Sequence, residues 1–505
     1  MNQKKAGVIL SYTSEIIKIL SSLLYTPIML RLLGQSEFGL YQLVHSVVSY
    51  LGLLSLGFTS AYIRYFSLAK TKGAEDEVAR LNGMFMTIFL VIAGIAAVCG
   101  GTMVCNIRHV FSTGLTDHEY EIARVLMIMM VFNLCVSFPT SVFNCIISAH
   151  EQFIFQRLLT VLQNLLNPFL TLPLLLMGYG SIGMVAVTTA ITLAKLAADI
   201  IFVFYKLHAK FIFRGFKFSL LKDIWAFTFF IFLNQIIDQV NWSVDRFLLG
   251  RMLGTSAVTV YGLGAQINTM YLQMSTAVSS VFAPQINRMV AGNNNNHELS
   301  VLFTRVGRIQ FILMGLILSG FAFVGHSFMQ IWGGSKSYGV SYYVALLLIV
   351  PVTVPLIQNL GIEIQRAKNM HKARSIVYTC IALANIFISI PLIRKFGVIG
   401  APMGTAISIF LGNILFMNWY YGERIGIEIV EFWKSIFSFF PAFILPLTCG
   451  MIIKHFWHID SLVAIVVFAL IYTAIYCISM WFWGMNLQEK DMVIRIYKKL
   501  LRNNK

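Results

Sequence analysis

The sequence predicts an all-α integral membrane protein of about fourteen transmembrane helices, two pseudo-symmetric six-helix lobes around a central cavity plus two extra C-terminal helices. Three observations predict it: an apolar composition too large for a soluble domain, apolar runs of spanning length, and an internal duplication. Of 505 residues, 58% are hydrophobic and 12% charged, against roughly 45–50% and 25% in soluble domains. A spanning helix takes about 20 apolar residues, so fourteen of them use nearly every hydrophobic position. No room remains for a soluble catalytic domain, and disorder, a disulfide scaffold and a nucleic-acid enzyme are excluded with it.

In chain order the spans are read at 8–31, 38–66, 82–105, 122–147, 158–177, 182–205, 223–250, 257–283, 304–325, 341–362, 375–392, 398–420, 435–454 and 460–483, each bounded by polar residues or by Gly and Pro. The first follows Lys4 and Lys5 but contains Glu15 and Lys18 and lacks a small-residue cleavage site, so it reads as a retained helix. The third follows Glu75-Asp76-Glu77, a solvated loop and helix start rather than the metal-binding acidic motif of a sugar transferase. After the fourteenth, Val493, Ile496, Tyr497, Leu500 and Leu501 repeat at helical spacing against Arg495, Lys498, Lys499 and Arg502. That pattern places a basic amphipathic tail along the inner membrane surface.

An even span count puts both termini on one side. With the N-terminus in the cytoplasm, most of the 38 Lys and Arg fall in cytoplasmic loops. Only Arg31, Arg108, Arg251, Lys336, Arg394, Lys395 and Lys454 fall on the opposite side. The net charge of +17 therefore reports orientation in the cytoplasmic (inner) membrane and contact with anionic lipid, not nucleic acid.

Two segment pairs reveal the duplication. Arg31-Leu-Leu-Gly34-Gln-Ser36, ending at Tyr41, matches Arg251-Met-Leu-Gly254-Thr-Ser256, ending at Tyr261. Asn167 to Pro173, followed by Gly180-Ser-Ile-Gly183, matches Asn385 to Pro391, followed by Gly397-Val-Ile-Gly400. The domains are read as an N-terminal lobe 1–215, a C-terminal lobe 216–425, helices thirteen and fourteen at 426–485, and the tail 486–505. Six helices per repeat make the repeats parallel, related by an axis along the membrane normal, with a cleft between them. All eleven prolines lie in or beside apolar spans, an excess of bends that suits a rocking transporter better than a rigid anchor.

Ionisable residues inside spans point to the cleft, because a mid-bilayer charge normally faces an interior or water. Lys18 and Asp238 lie mid-helix at equivalent places in the two repeats, so a cation would oppose an anion there; a buried structural ion pair is the plainer alternative. Lys18, with Arg31 and Arg64, is the candidate set for an anionic headgroup. Glu15 shares a helix face with Lys18 and, with Asp238, Lys195, Asp199, Asp245 and Arg246, is a candidate for ion coupling or gating. Lys195 and Asp199 are one turn apart and can neutralise each other, while Arg64, Arg124, Asp245 and Arg246 lie near helix ends, where snorkelling competes with gate pairing. The seven cysteines form no CxxC pair and the histidines are scattered, so no metal or cofactor is expected. Neither GxxxxGK[ST] nor HExxH occurs, leaving no sign of ATP hydrolysis or other catalysis.

Leu23-Leu24-Tyr25-Thr26-Pro27 through Gly34, continuing Glu37-Phe38-Gly39-Leu40-Tyr41, resembles the opening signature of the polysaccharide transporter family, as do Asp245 to Gly250 and Gly397 to Gly400. These are the O-antigen and capsule repeat-unit flippases of the multidrug/oligosaccharidyl-lipid/polysaccharide exporter superfamily. The resemblance implies a flippase, not an enzyme. Its substrate would be an undecaprenyl-pyrophosphate-linked oligosaccharide, moved by alternating access from the inner to the outer leaflet for surface polysaccharide biosynthesis. It implies lipid-linked oligosaccharide and membrane lipids as partners, with a polysaccharide polymerase and chain-length machinery as further candidates, and a lumen whose cations hold the phosphates. The alternative is a cation-coupled multidrug-type exporter of the same superfamily, for which Glu15 and Asp238 would be coupling carboxylates. Lys18 and Arg64 oppose that reading, since they would repel organic cations.

Overall fold

The computed structural model describes residues 3–503 except 56–57, 72–74, 112–114, 281, 292–294, 369, 458 and most of 216–242. Every regular element among them is helical, and ten helical stretches are long and apolar enough to cross a bilayer. Apolar chains point outward along them: on Phe153–Leu176 the exposed set includes Leu158, Leu162, Leu165, Leu166, Phe169 and Leu170. In water such a surface would drive aggregation; in lipid it is the expected exterior.

Contacts divide the chain into two compact units, 1–262 and 263–505. The first contains α1 (Gln3–Leu51), α2 (Phe58–Thr71), α3 (Glu75–Cys105), α4 (Asp117–Ala149), α5 (Phe153–Leu176) and α6 (Gly180–Ile201). It ends inside α7 (Thr255–Ser280). The second contains α8 (Asn296–Gly333), α9 (Gly339–Ile357), α10 (His371–Phe396), α11 (Gly400–Ile409), α12 (Ile429–Phe437), α13 (Phe440–Phe456), α14 (Leu462–Ser479) and α15 (Leu487–Asn503). The expected seventh span, 223–250, falls largely outside the described residues.

The second expected span, 38–66, is not one helix. Helix α1 bends at Gly34, where φ is 76°, and runs on to Leu51; a 3-10 turn over Gly52–Ser55 then separates it from α2. A positive φ is open to glycine without a Cβ clash, so Gly34 lets the helix bend where another residue would strain it. Gly254, its counterpart in the second motif copy, also has a positive φ, 86°.

The other repeated segment shows the same correspondence in its side chains. In the first unit, Thr171 donates to Asn167 Oδ1 at 3.3 Å, and Asn167 donates to Thr188 on α6 at 3.4 Å. In the second unit, Ser389 donates to Asn385 Oδ1 at 3.0 Å, and Asn385 donates to Thr405 on α11 at 3.4 Å. Each triad joins neighbouring helices through a carboxamide, which satisfies polar groups that lipid could not. Gly180, which opens α6, and Gly397, which opens the short 3-10 turn before α11, both have positive φ, 56° and 62°.

A buried charge organises the second unit. Arg308 on α8 reaches Glu489 in the first turn of α15 at 2.6 and 2.9 Å, with both side chains under 10% exposed. Its remaining N–H groups donate to Ser435 O, Ser438 Oγ and Gly484 O, and the guanidinium stacks 4.2 Å from the Phe439 ring centroid. Every donor of the guanidinium fork is thereby used, which is what makes burying it tolerable.

Candidate functional site

Glu15, Lys18 and Arg31 lie on α1 before the Gly34 bend. Glu15 and Lys18 face each other one turn apart at 4.0 Å, and their side chains are about half exposed, 55% and 51%. Such a long contact between half-exposed side chains is a loose pair that a stronger anion can displace. Ser14 beside them is buried and accepts from Asn164 on α5 at 3.3 Å, fixing this stretch of α1 against its neighbour. Arg31 and Arg64 are exposed. Asp238, the expected counter-charge of Lys18, lies outside the described residues.

The remaining expected charges divide by burial. Asp199 on α6 is fully buried, and no hydrogen bond reaches either carboxylate oxygen. Asn144 on α4 and the half-buried Lys195 are its polar neighbours. Asp245 is also fully buried and accepts from Tyr261 on α7 at 2.8 Å. Snorkelling therefore does not describe Asp245: its carboxylate is paired inside the protein. Arg246 is half-buried, with its charge set against His45 and Tyr261, while Arg124 is exposed.

Beyond the bend, α1 is sealed. A Cβ on Gly39 would overlap the carbonyl oxygen of Thr255, and one on Gly262 would overlap the Gln42 side chain. Gly250 is likewise filled against Leu43. Small residues allow this close helix approach, as in membrane helix pairs generally. The two copies of the duplicated motif touch across it: Gln35 Nε2 donates to Ser256 O at 3.2 Å, and Thr259 Oγ1 donates to Gln35 O at 2.6 Å.

Glu119 at the start of α4 ties both copies together. Its Oε1 accepts from Ser36 Oγ of the first copy and, at 2.9 Å, from Thr255 Oγ1 of the second; the two hydroxyls lie 3.1 Å apart. Its Oε2 accepts from Thr116 N at 2.8 Å while Thr116 caps α4 in return, a reciprocal capping box. Glu37 of the first copy caps α6, accepting from Ser181 N at 2.6 Å and Ser181 Oγ at 2.7 Å. Negative charge at two helix N-termini is favoured by the helix dipole. In the sequence Glu37 stands in the repeated motif with no assigned role, and Glu119 is signalled only by Thr116-x-x-Glu119, which is legible as a capping box.

A family model described as "Polysaccharide biosynthesis protein" matches residues 5–290. The membrane protein EpsK of Bacillus subtilis, described as uncharacterized, is 21% identical over 96% of both chains. A Shigella flexneri protein bearing the name of O-antigen transporter is 19% identical over 77% of this chain and 90% of its own. Among solved structures, the lipid II flippase MurJ in an inward closed conformation superposes with a TM-score of 0.70 at 14% identity, covering 94% of this chain and 97% of that one. An inward-facing multidrug resistance MATE transporter of the MOP superfamily gives 0.67 at 16% identity, covering 85% and 99%. At these identities the likeness to solved structures is one of fold, and it is to transporters rather than enzymes.

Proposed function

Because this chain belongs to the polysaccharide biosynthesis protein family, we propose that it is a flippase for a lipid-linked oligosaccharide. In this reading it carries an undecaprenyl-pyrophosphate-linked repeat unit from the inner to the outer leaflet of the cytoplasmic membrane. It would do so with fourteen helices in two six-helix lobes plus two, both termini being cytoplasmic. A polysaccharide polymerase and chain-length machinery are the partners that would consume the product.

One observation carries this reading: α1 is packed on one side of Gly34 against its duplicated motif, while on the other Lys18 and Glu15 stand half exposed. A carrier that exposes its site to one side at a time needs that asymmetry. Lys18, aided by Arg31 and Arg64, would receive the pyrophosphate, displacing Glu15 from a contact too long to compete. The motif contact at Glu119 would be the outer closure, and Asp199, Lys195, Asp238, Asp245 and Arg246 the groups through which ions or gate pairs bias the two states.

The test is transport of a fluorescent lipid-linked oligosaccharide in proteoliposomes. Lys18→Ala, at normal protein levels, is expected to lower the initial rate by on the order of tenfold, the effect of about 1.4 kcal/mol of lost attraction. An unchanged rate removes Lys18 from the site. Failure to move the glycolipid, with efflux of an organic cation instead, would favour the multidrug-type exporter.

A further inference from the structure

On the first unit, a groove of about 580 Å³ opens at the outer surface of the helices. Met86 on α3, Phe143 on α4, and Phe204, Phe211, Ile212 and Phe213 after α6 line it, and Phe211 sits 6.1 Å from Phe143 and 5.6 Å from Phe204, ring centre to ring centre. Phe204 and Phe213 remain about half exposed. The volume is in the range of ligand sites generally.

The groove is built, not a gap between loose chains. The strap 207–215 that forms one wall is pinned to α3: Ile212 N donates to Ala79 O at 2.9 Å, and Asn82 Nδ2 donates to Lys210 O at 3.0 Å. Asn82 is held in turn by the Tyr62 hydroxyl at 2.6 Å. A Cβ on Gly83 would overlap the Ile212 carbonyl, so the strap lies directly on the helix.

Cations stand near its mouth. Lys206, Lys210 and Arg214 are exposed along the strap, Lys210 itself lines the groove, and exposed Arg80 sits beside Gly215. The acids Glu75, Asp76 and Glu77 open α3 about a turn before Arg80, and none of them lines the groove. An apolar slot with several cations at one end matches a molecule with a hydrocarbon chain and an anionic phosphate.

We infer that this groove holds an acyl chain of one anionic glycerophospholipid, with its phosphate against Lys210 and Arg214. The site is separate from Lys18 and from the Glu119 closure, and it would fix the strap that follows α6 to the leaflet in which it sits.

Native mass spectrometry of the full chain, released from detergent micelles containing equal phosphatidylglycerol and phosphatidylcholine, tests this. One phosphatidylglycerol per chain is expected to survive activation that strips phosphatidylcholine. Lys210→Ala with Arg214→Ala should reduce its retention by on the order of thirtyfold, two cations each contributing as at a membrane surface. The exposed control Arg305→Ala should not change it. Equal retention of both lipids, unchanged retention in the double variant, or displacement of phosphatidylglycerol by stoichiometric lipid-linked oligosaccharide would each overturn the assignment.

Discussion

Single residues carry opposite obligations in this protein according to what surrounds them. Glu119 has a donor for each oxygen, whereas Asp199 is buried without a hydrogen bond to either oxygen. A buried polar group with no partner is destabilising, and replacing it removes that penalty without losing a bond. Asp199→Asn is therefore expected to leave the thermal midpoint in detergent unchanged or raised by a few degrees, while altering transport driven by an imposed ion gradient. A fall in the midpoint of more than about 4 °C, which in a chain of 505 residues corresponds to several kcal/mol, would mean that the carboxylate has structural partners. In the sequence both residues are simply acids near apolar runs. What distinguishes them is contact with residues 36 and 255 in one case and its lack in the other, and spacing along the chain does not encode that.

At the scale of elements, what was legible is what repeats or is periodic. The two Asn-centred triads and the paired left-handed glycines at 34 and 254 follow from the duplication, because equivalent residues were visible as such. The break between α1 and α2 was not, since Gly52 and Ser55 sit in an otherwise continuous apolar run. Nor was the Arg308 clamp, because only folding brings together residues 181 positions apart. The clamp joins α8, the end of α12 and the residue just after it, the turn that follows α14 and the start of α15 through one guanidinium. Removing one partner of a buried pair costs about 3–5 kcal/mol, whereas replacing both by apolar groups costs less. Arg308→Met should thus lower the thermal midpoint and speed tryptic cleavage at Lys490 and Arg495. Arg308→Met with Glu489→Met should recover part of the loss. Equal destabilisation by the single and double variants would show that the other hydrogen bonds to Arg308, not the ion pair, hold α15.

For the molecule as a whole, if the contact at Glu119 is the proposed closure, it has to be strong enough to exclude water and weak enough to open. Hydrogen bonds to a charged acceptor contribute about 1.5–3 kcal/mol each and neutral ones about 0.5–1.5. The bonds from Ser36 and Thr255, with the two at Gln35, therefore amount to several kcal/mol, the scale on which two conformations interconvert. The glycine contacts add close packing that is lost all at once when the helices part, which favours two discrete states over a continuum. If transport requires that parting, a covalent bond at the same place must stop it. With the seven native cysteines replaced, Ser36→Cys and Thr255→Cys together should crosslink under oxidation and reduce flipping by at least tenfold. Reductant should restore it, and each single cysteine should transport under both conditions. Full transport with the crosslink intact would mean that the motif copies never separate, and that the protein moves its cargo by some route other than opening between them.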